Sequence, residues 1–183
     1  MRRRDLLSIA ALPMVPRGGF RVYEHENVLG TSLELRVHSS TPDQAEAAAL
    51  AEIDRLARIL STYDPSSEVS RWARTRNEPV RVSPELLEVL GLYDQWRGRT
   101  GGALSAAFST TDAGPHWSLD RANGTATHLT FAPLVLNSFT KSYVIQKAAD
   151  AAMRHASGVV VNIGGDLVVK GRTTETVHVA NPL

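Results

Sequence analysis

At 183 residues, 43% of them apolar, with a formal net charge of +1, the chain fits one globular domain of ordinary size rather than a disordered polymer. The near-neutral balance excludes a strong electrostatic pull toward nucleic acid or an anionic membrane. The absence of cysteine excludes disulfides, zinc thiolate sites and thiol catalysis, and is compatible with an oxidising compartment.

The first residues, Met1-Arg2-Arg3-Arg4-Asp5-Leu6-Leu7, resemble a twin-arginine signal with Arg3-Arg4 as the pair. A short apolar run from Ser8 to Val15, interrupted by Pro13, follows, so residues 1–19 read as an export signal. That run is too short to span a bilayer, and no other candidate span exists. The expected location is the periplasm or the outer face of the cytoplasmic membrane, with contact to the membrane peripheral at most.

The folded part, residues 20–183, begins at Phe20. Phe20-Arg21-Val22-Tyr23 and Leu33-Glu34-Leu35-Arg36-Val37 alternate apolar and polar residues, the pattern of half-buried strands, with Gly30-Thr31 marking the turn between them. Thr41-Pro42-Asp43 predicts a helix start, with Thr41 as N-cap and Pro42 in the first position. Ala49, Ile53, Leu56, Ala57 and Leu60 recur at helical spacing, which carries this helix to about Ser61 as a core-packing stripe. Asp64-Pro65 breaks it. Ser66 or Ser67 is placed to cap a short second helix through Trp72, and Tyr63 sits at the break, either in the core or facing a cleft. Pro79–Val82 reads as a short strand. Ser83-Pro84-Glu85 starts another helix, with Leu86, Leu87 and Leu90 apolar, running to about residue 97.

The segment Gly98-Arg99-Thr100-Gly101-Gly102-Ala103 has two readings: a nest of backbone N–H groups for an anion, or a plain helix stop. Ser109–His128 is polar, with turn signals at Gly114-Pro115 and Asn123-Gly124, and reads as a surface excursion. Leu134–Asn137 reads as a strand leading to Ser138 as N-cap of a helix to about His155. Lys141 would then lie in the first turn, where a cation opposes the helix dipole; either a bound phosphate explains it or it is a plain solvated lysine at small cost. Val159–Gly171, VVVNIGGDLVVKG, reads as two strands joined by Gly164-Gly165-Asp166. Glu175–Ala180 reads as one further strand. The overall expectation is an α+β fold with a mainly antiparallel sheet and packed helices.

Common catalytic signatures are missing: no Walker-type phosphate loop, no dinucleotide-binding glycine fingerprint, no zinc-protease helix motif and no nucleophile elbow. The six histidines are scattered without metal-ligand spacing.

Five stretches taken in order resemble the ApbE-type FAD:protein FMN transferases. They are Leu29-Gly30-Thr31; Leu60 through Ser70, read LSTYDPSSEVS; Thr100-Gly101-Gly102-Ala103; Leu136-Asn137 with Lys141-Ser142-Tyr143; and Val161-Asn162-Ile163-Gly164-Gly165-Asp166. The resemblance covers Val28 to Gly171 and implies an ApbE-like, T-fold-like architecture. It implies an enzyme that uses FAD as substrate and Mg2+ as metal, and moves FMN from FAD onto a threonine of a target flavoprotein, with release of AMP.

By the same resemblance, Tyr63 contacts the flavin. Thr100, Gly101, Gly102, Ala103, Asn137, Gly164, Gly165 and Asp166 line the FAD site. Lys141 lies at the pyrophosphate as the catalytic residue, and Thr140 takes the place of the alanine whose carbonyl faces the metal. The sequence departs from the family pattern at Ser142, which replaces a glycine, and at Asn137 and Gln146, which replace aspartates. The family also continues for roughly another hundred residues, where an Asp and a Thr hold the metal. On that basis the chain ending at Leu183 is expected to be a fragment or a degenerate relative, incomplete at its C-terminus. A non-catalytic FAD-binding module, or a pyrophosphatase giving FMN and AMP, is the corresponding alternative.

Overall fold

A computed structural model describes residues 20–106, 114–130 and 133–177. The export-signal reading of residues 1–19 therefore lies outside the described residues, as does the end of the predicted strand at 178–180.

The described residues build two antiparallel sheets and four helices. β1 (Phe20–Val28), β2 (Thr31–His38), β6 (Gly158–Ile163) and β7 (Asp166–Gly171) form a four-stranded sheet in the order β1-β2-β6-β7. Its register explains the alternating sequence. Leu33, Leu35 and Val37 stand opposite Ile163, Val161 and Val159, and all six are buried. The intervening Glu34 and Arg36 point to the other face. Onto the apolar face pack α1 (Pro42–Leu60) and α4 (Asn137–Met153). Ala45, Ala49, Ile53, Leu56 and Leu60 form the buried stripe of α1, as the helical spacing predicts. Thr41 occupies the N-cap position, but its side chain caps nothing; Ser39 Oγ instead accepts the Thr41 N–H at 2.9 Å.

The short α2 (Glu68–Ala73) is capped by Ser67, whose Oγ accepts the Ser70 N–H. The helix α3 (Pro84–Arg99) is capped by Ser83, whose Oγ accepts the Leu86 N–H. Both caps match the sequence reading and satisfy N–H groups that a helix start leaves unpaired.

Three expectations need correction. The polar stretch before His128 is not a surface excursion: its described part forms β4 (Trp117–Asp120) and β5 (Thr125–His128), which join β3 (Pro79–Arg81) in a second sheet, ordered β3-β5-β4. Trp117, Ala126 and His128 on these strands are buried. The Asn123-Gly124 turn closes the hairpin, with Asp120 Oδ1 accepting the N–H groups of Ala122 and Asn123. Second, Leu134–Asn137 forms no strand beyond an isolated bridge at Leu134, and α4 begins one residue earlier than Ser138, which lies inside it. Third, residues 173–177 have no regular structure. They are held over the sheet by Glu175, whose two carboxylate oxygens accept from Arg36 Nη1 at 3.1 and 2.9 Å.

An aromatic cluster links sheet two to the main core. Trp72 of α2 lies edge-on to Trp117 with centroids 6.2 Å apart, and its indole N–H donates to the Ala126 carbonyl at 3.1 Å. The His128 ring lies 5.2 Å from it. His128 Nδ1 is 3.1 Å from the Thr75 carbonyl, so that nitrogen carries the proton, while Nε2 has no partner among the described residues. Burial lowers the His128 pKa from its ordinary 6.5, so the folded chain holds the ring neutral where the unfolded chain would bind a proton. The stabilisation is therefore complete above the unfolded value of 6.5 and is lost as pH falls through the folded one. The urea midpoint should drop between about pH 7 and about pH 5, and His128→Gln should flatten that acid limb. An acid limb unchanged by the substitution would assign the loss to other groups.

Candidate functional site

The start of α4 organises the candidate residues. Asn137 is its first residue and Lys141 its fifth, so they share one face, one turn apart. On one side of Asn137 is Tyr63. Its ring is 85% exposed, which removes the core reading, and its hydroxyl accepts from Asn137 Nδ2 at 3.4 Å. Tyr63 stands at a cleft of about 320 Å³ with Thr62, Pro65, Val69, Arg74 and Leu136 among its walls. The kink at Asp64-Pro65 turns the ring outward: Asp64 Oδ1 accepts both the N–H and the hydroxyl of Ser66, and this holds its carboxyl below the usual range. Arg74 was not singled out from the sequence. Its position one turn beyond Ser70, at the C-cap of α2, was the available signal.

On the other side, Lys141 reaches the β6–β7 turn. Its Nζ lies 3.0 Å from Asp166 Oδ2 and 3.4 Å from the Gly164 carbonyl. Gly164 and Gly165 both have positive φ, 55° and 91°, as a two-residue hairpin turn of this hand requires. A Cβ at Gly164 would sit 2.7 Å from Thr31 Cγ2 and 3.0 Å from Lys141 Nζ, so it would collide with Thr31 and crowd the ammonium. The Gly165 N–H donates to Asn162 Oδ1 at 3.0 Å. Four of the predicted site residues, Lys141, Gly164, Gly165 and Asp166, thus meet in one place, and Thr31 and Asn162 from the motif stretches join them.

The helix-dipole account of Lys141 does not survive this geometry. Lys141 lies past the first turn, and its charge is answered by Asp166. The early N–H groups are also engaged: that of Phe139 donates to the buried Tyr93 hydroxyl at 3.3 Å, and Ser138 points to the same oxygen. Burial pushes the Tyr93 hydroxyl up, while these donors act against that rise.

Tyr143, the last residue of the four-residue lysine motif, is a staple between helices. Its hydroxyl donates to Glu88 Oε2 at 2.7 Å, and burial together with that carboxylate holds it well above the ordinary tyrosine range.

Thr100–Ala103 lies at the end of α3. Gly101 and Gly102 take positive φ, and the N–H groups close the helix: Thr100 to Trp96, Gly101 to Gly98, Gly102 to Arg97 and Ala103 to Thr100. Leu104 N–H goes to Thr100 Oγ1. The helix-stop reading describes this segment, and these donors are not aimed at an anion.

Thr140 is the fourth residue of α4, and its hydroxyl donates to the Leu136 carbonyl within the same helix. Among the described residues no group of three or more His, Asp or Glu converges to hold a metal ion. Nor is any helix among them long and apolar enough to cross a membrane.

The fold is shared with several solved structures. The chain's backbone is similar to that of a variant of the flavin transferase ApbE from Vibrio cholerae, with a TM-score of 0.77 and 17% identity, over 91% of this chain and 69% of that one. It is similar to the flavinyl transferase ApbE of Pseudomonas stutzeri at a TM-score of 0.71 and 16% identity, over 85% and 62% of the two chains. The ApbE protein of Thermotoga maritima gives 0.71 and 18%, over 82% and 59%. The chain thus spans about three fifths to two thirds of the length of these structures. No curated protein sequence matches it. The sequence model of the ApbE family matches residues 29–123, more than half of the chain, and on that match the chain belongs to the ApbE family.

Proposed function

We propose that this chain is the flavin-handling part of an FAD:protein FMN transferase. Family membership supports a flavin transferase, and one observation carries the finer reading: a single helix start fixes an exposed aromatic ring and a cation on neighbouring positions. Asn137 holds the Tyr63 hydroxyl, and Lys141, one turn on, stands over the Gly164-Gly165 turn. In this reading the isoalloxazine stacks on Tyr63, which adds about 1 kcal/mol beyond buried area, and Lys141 meets the pyrophosphate.

The transfer then needs positioning and charge neutralisation more than a protein nucleophile. The hydroxyl oxygen of a threonine on the target flavoprotein bonds to the FMN phosphorus. The bond from that phosphorus to the bridging oxygen breaks, AMP leaves with that oxygen, and the hydroxyl proton is released. Lys141 offsets negative charge on the phosphates as this happens.

Magnesium is part of the family expectation. The described residues do not by themselves make a site for it, since no three His, Asp or Glu side chains among them converge and Asp166 is paired with Lys141. The same feature favours a second reading, a module that binds FAD without transferring FMN. We place either activity outside the cytoplasm, on the strength of the Arg3-Arg4 signal.

Incubation of the chain with FAD, magnesium and a target carrying an acceptor threonine tests the proposal. Mass spectrometry should find FMN on the target and AMP in solution. Free FMN with AMP would instead identify a pyrophosphatase, and bound but intact FAD would identify the binding module.

A further inference from the structure

The β6–β7 turn does more than leave room for Lys141: it supplies the lysine with a counter-ion. Two residues of the turn, Gly164 and Asp166, hold the ammonium. The Gly164 carbonyl accepts from Nζ at 3.4 Å, Asp166 Oδ2 lies 3.0 Å from Nζ, and the missing side chain at Gly164 keeps the approach uncrowded. Asp166 is the first residue of β7, paired in register with Ile163, so the turn fixes its backbone against the sheet. The Lys141 and Asp166 side chains are 31% and 52% exposed. An ion pair with that much water access is weak, and a stronger anion can displace it.

We infer that Asp166 is a built-in counter-ion that Lys141 exchanges for a phosphate-class anion, so that the carboxylate sets the affinity of the site rather than contributing contacts to the ligand. This rests on the reading of Lys141 as the anion contact. In the empty site Asp166 holds the ammonium over the glycine turn in the geometry it needs. When the anion arrives, the ammonium turns to it and the carboxylate is left facing a second negative group. The pair thus selects for ligands with enough charge density to outcompete a carboxylate, such as a pyrophosphate, over monocarboxylates or halides.

The consequence has an unusual sign. Removing the Asp166 charge should tighten anion binding, whereas loss of a merely structural residue would leave it unchanged or weaken it. Calorimetric titration of the full chain with inorganic pyrophosphate is the test. Asp166→Asn should bind about two- to fivefold more tightly than the parent, the range expected for releasing an exposed ion pair. Asp166→Ser should do the same, which guards against an effect of the amide. The gain should vanish when Lys141→Gln is added, and the amide signals of Gly164 and Gly165 should move on titration in the parent. Equal or weaker binding by both Asp166 variants overturns the inference, as does an absence of pyrophosphate binding in parent and variants alike. FAD titrated separately keeps the two proposals apart. Pyrophosphate behaving as described without FAD binding would leave the counter-ion in place and remove the flavin reading.

Discussion

Trp72→Ala should cost about 4 kcal/mol of stability, the middle of the range for removing a large buried aromatic. Trp72 is 2% exposed and is the main bridge between α2 and the second sheet. Three separate losses combine. The cavity removes its contacts with Trp117 and His128. The Ala126 carbonyl, on a residue that is itself fully buried, loses the indole N–H that satisfies it. The end of α2, whose other buried residue is Val69, loses its anchor on the sheet. For a chain of this size the melting temperature should fall by roughly 10 °C. Thermal denaturation followed by near-ultraviolet circular dichroism measures it directly, because the tryptophan environments are what changes. A shift of only a degree or two would show that the second sheet is not held through this residue.

Lys141→Ala should weaken FAD binding by roughly 10- to 100-fold, the effect of removing a charged hydrogen-bond donor from an anion. Quenching of flavin fluorescence on titration gives the affinity. The same substitution should hardly move the melting temperature, since the ion pair it removes is exposed and worth little to the fold. The contrast between the two readouts is the informative part. A large loss of stability with unchanged affinity would make Lys141 a structural strap between α4 and the β6–β7 turn. Unchanged affinity and stability together would remove it from the site.

Much of the main sheet and its helices could be read from the residues because each element follows one strong local rule. Leu33, Leu35 and Val37 alternate, α1 has a clear apolar stripe, and Gly164-Gly165 sits between two β-branched runs. The second sheet was not legible for the opposite reason. Trp117–Asp120 and Thr125–His128 are four residues each, mixed with serine and threonine, and their burial depends on Trp72 arriving from elsewhere in the chain. The Asn123-Gly124 turn between them was the available hairpin signal.

At the site, residue types showed where to look but not what they touch. Tyr63 had two readings until its exposure was known. The glycines at 101 and 102 had two until their N–H partners were. Lys141 looked misplaced because the helix N-cap was set two residues late, at Ser138 rather than Leu136, and because Asp166, its partner, comes from a distant strand.

That distance has a consequence for how the chain reaches its fold. β2 and β6 are neighbours in the sheet, with Leu35 opposite Val161, yet both helices that cover them, and the whole second sheet, are encoded between the two. During synthesis β1 and β2 emerge as a hairpin with the β2 edge and the apolar side chains of Leu33, Leu35 and Val37 unsheltered. An isolated hairpin of that kind is marginal in water. Its lasting partner, β6, leaves the ribosome only after α4 has done so. The order of synthesis therefore makes closure of the β2–β6 seam a late event governed by a long-range encounter, which is slow for topological reasons alone. In the interval the open edge of β2 is a template for pairing with the wrong strand, and the nascent chain is most exposed to aggregation there.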